Sequence, residues 1–196
     1  MNILYLSKDY PPYLIGGVGV YIDEISKLLA KMGHNVYVIT KTEDAPIEYM
    51  DKGVHVFRVK PKKISILNGC RSDIKGLSER LEYSFAVSEK IKELLKRCPI
   101  DIIETSEARA EAFWHYLFRK NPPLVIKLHT PETLAFALDH TPKTLDYRLI
   151  KLLEEFWIAK AVQKIGLSEE VVDLTARHFS MKLKNIPIVP NPIDIE

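Results

Sequence analysis

Gly16, Gly17 and Gly19 stand between an apolar run, Ile3-Leu4-Tyr5-Leu6, and an amphipathic stretch that ends at Gly33-His34. A glycine-rich loop that opens onto a helix N-terminus can approach a phosphate. Glycine lets the backbone come close, and the free amides and dipole of the helix favour an anion. A second centre is His129, which follows the apolar run Leu124-Val125-Ile126-Lys127-Leu128. That run has the length of a buried strand, so the histidine falls at a strand's carboxyl end, where ligands collect in open α/β sheets. A neutral imidazole donates one hydrogen bond and accepts another, which suits sugar hydroxyls; a purely structural role suits a lone histidine as well.

Strand alternation puts Val125, Lys127 and His129 on one face. An unpaired buried ammonium is costly, so Lys127 is expected to reach either a ligand or an acid such as Glu104. The other histidines share no metal-ligand spacing, and no metal is expected. The sequence has no G-x-S-x-G elbow and no phosphate loop ending in Lys-Ser or Lys-Thr, so hydrolase and P-loop readings lack their main support.

The elements that must position these residues follow from periodicity. Residues 3–6 read as a strand, and Val18, Ile22, Ile25, Leu28, Leu29 and Met32 trace a helical stripe with Gly33 as its left-handed stop. Val36 to Ile39 then completes a βαβ unit, whose crossover is expected to be right-handed. Further strands are predicted at 54–59, 100–103, 124–128, 164–167 and 186–189. Helices are predicted at 74–97, 107–119 and 144–162, with another starting at Ser168 as its cap. Residues 41–53 and 60–71 read as surface loops. The alternation implies an α/β fold, a Rossmann-like parallel sheet with helices on both faces.

With 196 residues, 46% of them hydrophobic, the chain can bury one sizeable core, and a single domain over 1–196 is expected. A net charge of +2 with mixed signs gives no reason to expect nucleic acid as a partner. Cys70 and Cys98 stand apart, outside any metal or disulfide spacing, which fits a reducing cytoplasmic compartment. Lys60, Lys62 and Lys63 form a small basic cluster that keeps a peripheral seat at the inner face of a membrane in view beside the plainer reading, a solvated loop.

A dinucleotide-dependent oxidoreductase fits poorly. Nine residues with two prolines separate Leu6 from Gly16, Ile22 stands where a third glycine belongs, and the second strand ends at Thr40-Lys41 without an acid. The pattern Ser7-Lys8-Asp9-Tyr10-Pro11-Pro12, then Gly16-Gly17-Val18-Gly19, then Gly33-His34-Asn35-Val36, resembles the N-terminal domain of the GT-B glycosyltransferases of family 4. The likeness continues through Asp101-Ile102-Ile103-Glu104, Lys127-Leu128-His129-Thr130, Glu154-Glu155, Ile165-Gly166-Leu167-Ser168 and Val189-Pro190-Asn191-Pro192-Ile193-Asp194.

The resemblance implies a retaining transfer of a hexose from a nucleoside diphosphate sugar, with no cofactor and no bound metal. It implies a donor diphosphate at Gly16, Gly17 and Val18 and His129 against the donor sugar as the catalytic position. Thr130, Glu107, Arg148 and Lys127 then lie on the acceptor side, the acceptor being a sugar, a sugar phosphate or a lipid-linked sugar. Glu107 has a plainer alternative as an acid that complements a helix dipole, and Arg148 as an exposed arginine paired with glutamates. Asn191-Pro192-Ile193-Asp194 resembles the hinge to a second domain that grips the nucleotide. This chain is therefore expected to be the acceptor-side half, lacking that C-terminal domain and inactive alone. Glucan synthases of this kind start the loop with Lys-Thr-Gly-Gly-Leu, whereas Tyr13-Leu14-Ile15 stands here, which argues against an α-glucan acceptor. The competing class is a non-catalytic sugar- or nucleotide-binding Rossmann-like module.

Overall fold

The computed structural model describes residues 1–13, 16–70 and 72–192. Seven strands form one sheet in the order β3-β4-β2-β1-β5-β6-β7. They are β1 (Asn2–Leu6), β2 (Asn35–Lys41), β3 (Ile47–Asp51), β4 (Val54–Val59), β5 (Ile102–Ser106), β6 (Leu124–Leu128) and β7 (Gln163–Gly166). All pairings are parallel except that of β3 with β4. β1 pairs with β2 on one side and with β5 on the other, so the strand order reverses between β1 and β5. The loops that leave these two strands diverge there and open a crevice at the carboxyl edge.

The pleat sorts the side chains into two cores. Ile3, Tyr5, Val36, Val38, Val54 and Val56 face α1 (Gly17–Lys31) and bury its Tyr21 and Ile22. Leu4, Leu6, Ile39, Ile103, Leu124 and Ile126 face the other way, against α2 (Lys75–Arg97), α5 (Leu145–Lys160) and α6 (Glu169–Phe179). Two short helices, α3 (Phe113–Tyr116) and α4 (Glu132–Leu138), fill the connections after β5 and β6.

Several ends behave as their chemistry requires. Gly33 adopts φ +87° and closes α1, with its N–H on Ala30 and that of His34 on Leu29. Ser168 accepts a hydrogen bond from the Val171 amide at 3.2 Å and caps α6. The N-terminus of α2 is capped from outside: Asp146 of α5 accepts from the amides of Gly76 and Leu77 at 2.8 and 2.9 Å.

Other expectations need correction. The segment 41–53 is not loop throughout but contains β3, an edge strand whose Tyr49 packs against the α1-side core. The strand expected at 100–103 runs from 102 to 106, and residues 186–189 contribute a single bridge, Gly166 with Ile188, because Pro187 and Pro190 have no amide to donate. The helix expected at 107–119 shrinks to α3, since Ala110 is held at φ +51° and Glu107 and Glu111 turn inward. The stripe on α1 is rotated, leaving Leu28 and Met32 exposed and Tyr21 buried. Leu14, Ile15, Arg71 and the second half of Asn191-Pro192-Ile193-Asp194 lie outside the described residues.

Gly166 sits where β7 turns into the α6 cap. A β-carbon there would press on Val172 Cγ2 and come within 3.0 Å of Ile188 Cδ1. Gly166→Ala is expected to destabilise the chain by roughly 1–3 kcal/mol. Denaturant unfolding at wild-type stability would refute this packing.

Candidate functional site

The crevice is built on backbone amides held by buried carboxylates. Glu107, fully buried just after β5, accepts the His129 N–H with both oxygens, at 3.0 and 3.1 Å. Glu111, on the same loop, accepts from the Lys8 N–H at 2.6 Å and from the Thr105 hydroxyl at 2.9 Å. Glu154 of α5, also fully buried, accepts from the Glu132 and Thr133 amides at 2.9 and 3.3 Å and from the Thr133 hydroxyl. The loops after β1, β5 and β6 are thereby fixed relative to one another.

Burial is the main force on all three acids. It pushes Glu107 up to about 8 and Glu154 up to about 7, against the donated amide hydrogen bonds that favour the charged forms. Glu111 is raised for the same reason. The repulsion between Glu107 and Glu154 adds to the rise at Glu107.

With its amide anchored, His129 presents a ring that makes no hydrogen bond to a described residue. It lies 5.2 Å, centroid to centroid, from the ring of Tyr21. Tyr21 is one helical turn beyond Gly17, so the first turns of α1 and the imidazole meet at the Tyr21 ring. Burial first, and the Lys127 charge second, push the imidazole down to about 4. It is therefore neutral across the physiological range.

Lys127 is turned inward. Its ammonium is buried under α1, 3.9 Å from the centre of the Tyr21 ring, and has no hydrogen-bond partner among the described residues. Glu104 is its counter-charge, and the Tyr21 hydroxyl donates to that carboxylate at 2.7 Å. Burial lowers the lysine and raises the glutamate, while their mutual attraction opposes both shifts.

At the start of α1, Gly16 is extended and its carbonyl takes the amides of Gly19 and Val20. Helix geometry leaves the amides of Gly17 and Val18 without intrahelical acceptors, and among the described residues no side chain caps this end. A β-carbon at Gly16 or Gly17 would meet no atom within 4 Å, so packing inside the protein does not account for the glycines.

Thr130 is exposed and its hydroxyl donates to the His129 carbonyl at 2.6 Å. Arg148 is exposed on the first turn of α5, next to Tyr147, whose hydroxyl donates to the Thr133 carbonyl at 3.2 Å. Glu107 and Lys127 are both sealed inside, unlike Thr130 and Arg148. Sequence reasoning missed Tyr21, Glu111 and the Glu132 carboxylate, which pairs with Arg80 and lies 3.4 Å from Arg109. A polar-tipped tyrosine one turn after the glycines was a usable signal; Glu111 gave none within a segment that reads as helix. Among the described residues no cluster of three or more potential ligands could hold a metal, and no helix is long and apolar enough to cross a membrane.

Comparison with known proteins gives the family and the fold. The sequence model of Glycosyltransferase Family 4 matches residues 15–196. An uncharacterized glycosyltransferase of Methanocaldococcus jannaschii is 36% identical over 61 residues, which is 31% of this chain and 16% of that protein. A glycogen synthase of Mycobacterium tuberculosis is 44% identical over 41 residues, 21% of this chain and 10% of that protein. Among solved structures, the catalytic domain of starch synthase IV from Arabidopsis thaliana, bound to ADP and acarbose, superposes with a TM-score of 0.60 at 14% identity. It covers 98% of this chain and 52% of its own. Trehalose-6-phosphate synthase from E. coli, bound with UDP-2-fluoro glucose, gives 0.51 at 12% identity over 91% of this chain and 43% of its own. These likenesses show the GT-B, Rossmann-like fold, and the chain spans about half the length of those structures.

Two measurements test the electrostatics. A carboxyl raised in the folded state holds an extra proton between its unfolded and folded values, so stability is lost as pH rises through that window, by at most about 1.4 kcal/mol per pH unit and group. His129 and His178, both pushed down to about 4, act in the opposite sense below about 6.5. Their effect is complete above that pH, where Glu107 and Glu154 still titrate, so these four groups together make unfolding easier from pH 6.5 to 8. Glu107→Gln should flatten that decline in urea melts, and a slope like wild type would contradict the assignment. Lys127→Met should move the His129 titration upward in an NMR series; an unmoved imidazole would show that the ammonium does not act on it.

Proposed function

Because the chain belongs to glycosyltransferase family 4, we propose that it is the acceptor-side, N-terminal domain of a retaining enzyme. The enzyme transfers a hexose from a nucleoside diphosphate sugar to a hydroxyl of its acceptor. The observation that supports this reading is a proximity: Tyr21, one turn after Gly17 and the open start of α1, lies 5.2 Å ring to ring from the unpartnered imidazole of His129. Nucleotides in the superposed starch synthase and trehalose-6-phosphate synthase structures support a nucleoside diphosphate sugar as donor.

In this reading the amides at Gly16, Gly17 and Val18 stabilise the departing diphosphate, whose negative charge grows as the glycosidic bond to it breaks. His129, neutral, hydrogen-bonds the donor sugar near its reacting carbon and holds it against the acceptor. Positioning of this kind needs a ring that neither swings nor takes up a proton. Glu107 meets the first demand through the backbone, and burial beside Lys127 meets the second. Thr130 and Arg148, both exposed, are the groups offered to the acceptor, and a guanidinium fork suits a phosphorylated one. Glu107 and Lys127 act on the acceptor side only through His129.

The second, nucleotide-gripping domain is proposed to follow the hinge-like Asn191-Pro192, and without it the chain should turn over negligibly. The glycogen synthase match is confined to 41 residues and leaves the acceptor open. A screen of nucleoside diphosphate sugars against the full-length gene product is expected to show transfer. His129→Ala should then lower kcat/KM about 100-fold or more, and Glu107→Ala should cost roughly 1–3 kcal/mol of stability through the stranded His129 amide. Robust transfer by residues 1–196 alone, or by the His129 variant, would overturn the reading.

A further inference from the structure

A trough runs along the carboxyl edge of the sheet on the β2 and β4 side of the β1 loop, away from His129. It consists of two cavities, about 390 and 630 Å³, that share Tyr13, Thr42 and Asp44. The smaller one begins at Lys8 and Asp9, directly after β1; the larger one ends on Tyr49 of β3 and Arg58 of β4. Each volume is within the range of ligand sites.

The wall of the larger cavity is held rigid from beneath by a buried cation. Arg58, 4% exposed, donates through Nη2 to the carbonyls of Tyr10 and Pro11 and, at 2.9 Å, to the Tyr49 hydroxyl. Its guanidinium lies 5.4 Å from the centre of the Tyr13 ring and 5.7 Å from that of Tyr49. One side chain thus ties the proline loop to the edge strand and braces two aromatic rings. Tyr13 is nevertheless 60% exposed, a large ring presented to solvent at the junction of both cavities.

The lining combines ring faces with acid. Pro11, Tyr13 and Tyr49 offer flat apolar surfaces, while exposed Asp44 offers acceptors at the rim. Arg58 is the only cation among the described residues that line the larger cavity, and its Nη2 is committed to carbonyl oxygens. In the smaller cavity Lys41 pairs with Glu43, and its two lysines, Lys8 and Lys41, share the lining with Asp9, Glu43 and Asp44, so the trough as a whole has no excess of positive charge to select a nucleoside diphosphate. A neutral polyol fits: sugar rings present C–H faces to aromatic and proline rings, and their hydroxyls donate to carboxylates.

We propose that this trough is an oligosaccharide subsite that takes the non-reacting sugars of a saccharide acceptor, with Tyr13 as its central platform. The assignment rests on the transferase reading above, and it makes the acceptor a chain of at least two or three sugars.

Saturation-transfer NMR on this chain tests it, using glucose-, mannose- and galactose-based trisaccharides as probes, with UDP and ADP run in parallel. At least one trisaccharide is expected to bind. Tyr13→Ala should weaken it tenfold or more, and Tyr13→Phe, which keeps the ring, should stay within about twofold of wild type. Because Tyr13 is exposed, thermal unfolding of both variants should match wild type. Failure of every trisaccharide to bind, or binding indifferent to Tyr13→Ala, overturns the subsite. Nucleotide binding that is lost in Tyr13→Ala also overturns it, by making the platform a base-stacking site. Nucleotide binding that moves the Gly17 amide and survives Tyr13→Ala supports the donor reading independently and leaves the trisaccharide result in force.

Discussion

A carboxyl group removed from water must find hydrogen-bond donors, and in this chain the donors are the backbone amides of functional loops. Glu107 and Glu111 reach across to residues just past the ends of β6 and β1, and Glu154 reaches the first turn of α4. The exchange is reciprocal. The acid escapes an unsatisfied burial, and a loop at the carboxyl edge loses its freedom to move. Regular structure ends at Leu6, Ser106 and Leu128, but positional order continues past those ends because of the three glutamates.

A second linkage joins α1 to the sheet through charge and ring. The Lys127 ammonium lies against the Tyr21 face, the Tyr21 hydroxyl against Glu104, and the His129 ring beside Tyr21. An ammonium that rests on a π face while facing a carboxylate recovers part of its lost hydration without spending a hydrogen bond. The unit also sets the angle at which the glycine end of α1 meets β6. The first turn of the helix and the imidazole are thus located by the same three side chains.

Most of the scaffold was legible from periodicity. Residues 124–128 form the expected strand, 75–97 the expected helix, and Ser168 caps as its type suggests. What escaped was decided by contacts distant in sequence. Residues 107–119 have helical composition, yet Glu107 and Glu111 gain more from amides of β6 and β1 loops than from a helical turn, and Ala110 is forced into a left-handed conformation. β3 escaped because an edge strand needs only one partner and one packed face, which Tyr49 supplies to a segment otherwise dressed in charge. Of the candidate site, the glycines and the histidine stand out in the sequence, since their types carry the chemistry proposed for them. Tyr21 left a usable signal in its place one turn after the glycines, whereas Glu111 left none, since a glutamate in such a segment acquires meaning only from what folds against it.

The two margins of the sheet differ in a way that bears on how the molecule behaves among its own copies. At β3 the outer strand carries Glu48, tied to Lys90 and Arg97 of α2, so an approaching strand would have to disrupt an ionic lattice to pair there. At β7 the neighbouring segment contributes one bridge and is flanked by prolines, which cannot extend a ladder. One margin is thus guarded by charge and the other by proline. Borders blunted in this manner disfavour pairing of one sheet with the edge of another.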